Sequence, residues 1–195
     1  MEGTRDIGCL LIEDPLYDVG ALDDLYLSLH RSGVRAARFI WDRHERLHPS
    51  LQRAYQRIRR DDAVNGIVAI GAGCDCALAL ACQLPAERLA LLEPVDWQGR
   101  GEDARQLRRI RSFARRNAAF CVADALIVPG PNTDDACLKR LGRDLCACRR
   151  ILFIPSEELW SNRKEEFNFA ILHFLRDGAA PKSLAENPEM CIIYG

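Results

Sequence analysis

The sequence predicts an α/β fold, a mostly parallel central sheet of about six strands with helices on both faces. Three observations carry this. Apolar runs alternate with segments of helical period along the chain. The apolar runs have no polar face, as expected of parallel strands covered on both sides. One run, Ile67 to Ile70, enters the turn Gly71-Ala72-Gly73 and leaves as the alanine- and leucine-rich segment 74–83. That is a strand, a sharp turn and a buried helix, and small residues let the two backbones approach.

Taken in order, Ile7 to Ile12 is a buried strand ended by Glu13-Asp14-Pro15. Between Gly20 and His30, Leu22, Leu25, Tyr26 and Leu29 recur at helical spacing, with Gly33 as a stop. Val34 to Trp41 is a strand, followed by a polar loop over 42–49. Ser50 to Arg60 is a helix with Leu51, Ala54, Tyr55 and Ile58 on one face, and Asp61-Asp62 and Asn65-Gly66 punctuate before the central strand. Pro85 opens a turn before the strand Arg88 to Leu92. A long arginine-rich helix then runs from Glu102 to about Phe120. Ala125 to Val128 is a strand, Asp135 to Leu141 a short helix and Arg150 to Ile154 another strand. Lys164 to Arg176 is a helix with Phe167, Ala170, Ile171, Phe174 and Leu175 inward. One domain is expected over 1–176 and a tail over 177–195. The apolar end of the tail, Met190 to Tyr194, suits an edge strand in its own sheet or, in a homodimer, in a partner's. In such sheets the working site lies beyond the carboxyl ends of the strands. The turns after Ile12, Trp41, Ile70, Leu92, Val128 and Ile154 should therefore converge on one crevice.

A chain of 195 residues, 48% hydrophobic, can bury one full core. A net charge of −1 gives no global field to attract nucleic acid or an anionic membrane. No apolar run approaches the roughly 20 residues of a membrane span, and the first residues do not resemble a secretion signal, so the expected setting is the cytosol. The nine cysteines are an odd number and most lie in apolar runs, which reads as reduced thiols serving as small hydrophobes. Cys74-x-Cys76 and Cys146-x-Cys148 lack the spacing of zinc knuckles and redox dithiols, so neither metal nor cofactor is expected.

The order of these signals resembles the α/β-hydrolase superfamily, in particular its small carboxylesterase- and lysophospholipase-like members, over about Ile7 to Leu175. Gly8 to Asp14 is similar to the strand leading into the oxyanion loop, and Gly71 to Leu80 to the nucleophile elbow, G-x-S-x-G, with its helix. Val128 to Asp134 falls where the catalytic acid is held, Ile154 to Trp160 resembles the segment of the catalytic histidine, and Glu165 to Asn168 fits the start of the last helix. The resemblance implies a compact core lacking the family's first two strands. It also sets Gly73 at the nucleophile place, Thr133 at the acid place with Asp134 beside it, Leu159 at the histidine place, and Glu13 and Asp14 at the oxyanion loop. A triad needs a nucleophile, a base and a group that orients the base, and none of these residues supplies its part.

Replacements are few. Cys74, at the start of the elbow helix, is the alternative nucleophile, since a helix N-terminus favours a thiolate; Asp75 beside it opposes one. His44 and His48 stand in the loop after the second strand, at the correct rim, and Asp96 follows Leu92, where some family members place their acid. The rim is otherwise acidic, with Glu13, Asp14, Asp75, Glu93, Asp96, Asp134, Asp135, Glu157 and Glu158, which suits a cation or a basic peptide as well as plain solvated surface. In the arginine helix, Arg108, Arg109 and Arg111 are the candidates for an anionic partner, against the plainer role of an amphipathic surface helix. No aromatic interleaving favours nucleic acid. The sequence therefore predicts a hydrolase-like domain without conventional Ser-His-Asp activity, binding a small molecule or protein at the crevice. The alternative is an esterase or thioesterase acting through Cys74.

Overall fold

The computed structural model describes residues 6–13, 20–39, 46–61, 63–84, 86–95, 102, 105, 106, 108, 109, 112, 122–146, 148–154, 164–179 and 192–194. Seven strands form one sheet: β1 (Ile7–Ile12), β2 (Arg35–Phe39), β3 (Val64–Ile70), β4 (Ala86–Leu92), β5 (Val122–Val128), β6 (Arg150–Phe153) and β7 (Ile192–Tyr194). Their order is β2-β1-β3-β4-β5-β6-β7. The first six are parallel, and β7 adds antiparallel to β6, with Ile193 opposite Ile151. Five helices are complete among the described residues and cross between or follow the strands: α1 (Asp23–Arg31), α2 (Leu47–Ile58), α3 (Gly73–Ala81), α4 (Asp135–Asp144) and α5 (Lys164–Asp177).

Alternation along the strands divides the core in two. Leu10, Ile12, Ile67, Ala69, Leu89, Leu91, Ala125 and Ile127 pack with α2, α3 and α4 on one face. Cys9, Leu11, Val68, Ile70, Ala90, Leu92, Leu126 and Val128 pack with α1 and α5 on the other. Both faces are covered, which is why the carboxyl halves of β3, β4 and β5 read as apolar runs.

Three strands start earlier than the sequence reading placed them. Asn65-Gly66 looks like a turn, yet Asn65 bonds the loop through its side chain, donating to the carbonyls of Arg60 and Ala63, while its backbone stays in register with Gly8. Gly66 is accommodated because Leu175 occupies the space a Cβ would need. β4 starts at Ala86 and β5 at Val122, and Asp124, left outside the strand by the sequence reading, pairs there with Arg88 of β4. Likewise α2 begins at Leu47, not Ser50, because Pro49 falls in its first turn, where a missing N–H costs nothing. Helical backbone occurs at Glu102, Arg105, Gln106, Arg108, Arg109 and Ser112, and the remainder of the expected arginine helix lies outside the described residues. No helix among the described residues is long and apolar enough to cross a membrane.

The chain places β2 on one side of β1, then returns to lay β3 on the other. The strand order reverses there, and in open parallel sheets the crevice beyond such a reversal is where ligands bind.

Candidate functional site

At that reversal the chain turns through Gly71, whose φ is +59°. It directly follows β3, and its N–H donates to the carbonyl of Leu92 at 3.0 Å. A left-handed φ favours glycine, since a Cβ there crowds the neighbouring carbonyl. Gly73, the residue that the resemblance set at the nucleophile place, is instead the first residue of α3. A Cβ on it would lie 2.7 Å from the carbonyl oxygen of Glu13 and 2.8 Å from that of Ile12. Gly73 therefore serves the close approach of α3 to β1, and the apex lies two residues upstream.

Cys74 is 1% exposed. Its Sγ donates to the carbonyls of Ala69 (3.5 Å) and Leu92 (3.6 Å), beneath the turn. Burial, and after it the charge of Asp75, pushes this thiol well above its ordinary value. A thiolate is the reactive form, so the environment of Cys74 works against nucleophilic use.

Glu13 closes β1. Its carboxylate accepts from the backbone N–H of Gly20 (2.9 Å) and Leu22 (3.4 Å) and from Arg38 (2.7 Å), which also pairs with Asp23. It acts as a tie between β1, the start of α1 and β2. After β5, Thr133 and Gly130 form a closed turn: the Thr133 N–H donates to the Gly130 carbonyl and the Gly130 N–H to the Thr133 Oγ1, each at 3.0 Å. Asp134 caps α4, accepting from the Cys137 N–H at 2.6 Å. His48 lies buried in the first turn of α2; burial lowers its pKa, and its Nε2 has no hydrogen-bond partner among the described residues. Asp14, His44, Asp96, Arg111 and Leu159 lie outside the described residues. Arg108 and Arg109 are exposed, with Arg109 3.7 Å from Glu102. No set of three His, Cys, Asp or Glu side chains among the described residues is disposed to hold a metal.

Glu93 is the residue that sequence reasoning passed over as one of many rim carboxylates. It follows β4 with a φ of +45°, the only left-handed non-glycine residue described. It also precedes Pro94, which by itself drives a residue toward extended backbone. Its side chain lies against Gly130: a Cβ there would sit 2.3 Å from the Glu93 Cγ. The Glu93-Pro94 pair after a strand was the available signal, but nothing in a sequence reveals a left-handed φ at glutamate.

The overall fold recurs in solved structures. Est1E from Butyrivibrio proteoclasticus superposes with a TM-score of 0.60 at 14% identity, over 89% of this chain and 88% of that one. The S-formylglutathione hydrolase FrmB from Staphylococcus aureus superposes with a TM-score of 0.52 at 12% identity, over 88% and 82%. No protein-family model and no curated protein matches the sequence. At these identities the likeness speaks for architecture alone: this chain has the α/β-hydrolase fold.

Proposed function

We propose that this chain is an α/β-hydrolase-fold domain that has given up conventional catalysis and acts in binding or assembly through its strand-end crevice. The observation that carries the reading is Gly71. The residue at the strand-to-helix apex, where this fold presents a nucleophile, has no side chain. The other parts are committed elsewhere: Thr133 closes a turn, Asp134 caps a helix, and the Glu13 carboxylate is held by Arg38 and two backbone N–H groups. The rival, hydrolysis through Cys74, requires a thiolate at a position where burial and Asp75 both disfavour one.

Turnover of short- and medium-chain p-nitrophenyl esters and acyl-CoA thioesters by wild type beside Cys74→Ala tests this. The expected result is no turnover above background in either protein. Turnover in wild type that vanishes in Cys74→Ala would replace this reading with a cysteine hydrolase.

A further inference from the structure

We propose that the strand-end rim after β4 and β5 takes an organic cation, its ammonium or guanidinium group seated on the Glu93 carboxylate beside Gly130. The inference rests on the binding reading above and names its ligand class.

The geometry holds Glu93 in place from three sides. Its N–H donates to the Val128 carbonyl at 2.7 Å, while the Leu92 carbonyl accepts from Gly71 and the Val95 N–H reaches the Gly71 carbonyl at 3.5 Å. The segment 92–95 is thereby stitched between the apex of β3 and the end of β5. The left-handed backbone of Glu93, strained before Pro94, turns its chain over Gly130, where a Cβ would come within 2.3 Å of Cγ, 2.5 Å of Cδ and 2.8 Å of Cβ. Gly130 is itself fixed by the two hydrogen bonds with Thr133. The side chain is half-buried.

What this position lacks is a counter-charge. Glu13 has Arg38 and Asp134 has the Cys137 N–H, but among the described residues no cation pairs with Glu93. Burial alone displaces its pKa, upward. A partly desolvated carboxylate without a partner is costly, and a ligand cation that donates hydrogen bonds to it removes that cost. A divalent metal fits less well, since hard cations take six or more oxygen ligands and no three candidate ligands converge among the described residues.

The test uses n-butylammonium and n-butylguanidinium as probes, with 1-butanol as the neutral isostere of the ammonium, and ligand-observed NMR titration of the whole chain. Wild type should bind both cations and discriminate against the alcohol. Glu93→Gln should lose roughly 10- to 100-fold in affinity for the cations, the scale of a hydrogen bond to a charged group. Gly130→Ala retains the charge but displaces the side chain that carries it, and should weaken cation binding in the same direction. Binding to wild type should also fall as the pH drops through the raised pKa of Glu93. Equal affinity for cation and alcohol, affinity unchanged in both variants, or no binding of either cation would overturn the proposal. Ester turnover is read separately: turnover alongside cation preference would sink the non-catalytic reading alone, and absence of both would sink this inference alone.

Discussion

Among the cysteines, environment separates residues that the sequence presents alike. Cys146 is exposed, whereas Cys9, Cys74 and Cys148 are buried. Burial pushes the Cys9 and Cys148 thiols to about 12, so at pH 8 only about one in ten thousand of either is ionised. Among the described cysteines, Cys146 should therefore react first with a disulfide reagent in the folded protein. Cys9, Cys74 and Cys148 should react at the rate of unfolding. Mass-spectrometric mapping of a labelling time course checks this, and early modification of Cys74 would contradict the burial argument. Glu93 gives a second expectation with a definite sign. A carboxyl whose folded pKa is raised binds more protons folded than unfolded. Stability therefore falls as pH rises from the unfolded value of about 4.5 through the raised one. Glu93→Gln removes that loss, so its melting temperature should gain on wild type between pH 4 and pH 7; a constant difference would show that Glu93 does not carry it.

At the scale of the element, the turn between β3 and α3 shows how much of the site was legible. The pattern Gly71-Ala72-Gly73 was readable as strand, turn and buried helix, and the structure has that arrangement. What the sequence cannot distinguish is why each glycine is there. One meets a backbone demand, φ +59° at Gly71, and the other a spatial one, the carbonyls of Ile12 and Glu13 against Gly73. The apex was accordingly set two residues late. The same blindness shortened β5, since Asp124 looks like a loop residue until its pairing with Arg88 across the strands is known. The two glycines should respond differently to serine. Gly73→Ser drives a side chain into backbone that cannot rotate away and should cost about 1–3 kcal/mol, as overpacking does. Gly71→Ser should cost about 1–2 kcal/mol from its left-handed backbone. Urea unfolding of both variants checks the order, and the larger loss at Gly71 would reverse the assignment of roles. Neither variant should acquire esterase activity.

On the scale of the whole molecule, the two ends of the sheet have different work. The carboxyl ends carry the Gly71 turn and Glu93, and the opposite end is closed by Asp124, a fully buried carboxylate near the start of β5. Arg149 and Arg150 each bind it in bidentate fashion at 2.7–3.2 Å, and Arg88 reaches it at 2.7 Å. The cluster joins β4, β5 and β6, and Gly178, just past α5, packs against it so closely that a Cβ would meet Asp124 Oδ2 at 2.5 Å. Burial works to raise the Asp124 pKa, but the hydrogen bonds from Arg149 and Arg150 and the charge of Arg88 outweigh it and hold the group below its ordinary 3.8. Asp124→Asn leaves three guanidiniums facing a neutral amide, Arg88 among them with little access to water, and should cost about 3–5 kcal/mol, the scale for removing one partner of a buried ion pair. The sign of the pH dependence follows from the depressed pKa. The stabilisation is complete above about 3.8 and is lost as pH falls through the lower folded value. Wild type and Asp124→Asn should therefore differ by the same amount in urea at pH 7 and pH 5, and converge only well below pH 3.8. A gap already closed at pH 5 would mean that other carboxylates set the acid stability. Since the cluster sits at the far end of the strands, cation binding at the rim should survive Asp124→Asn wherever the variant remains folded, which separates the load this end carries from the ligand chemistry of the other.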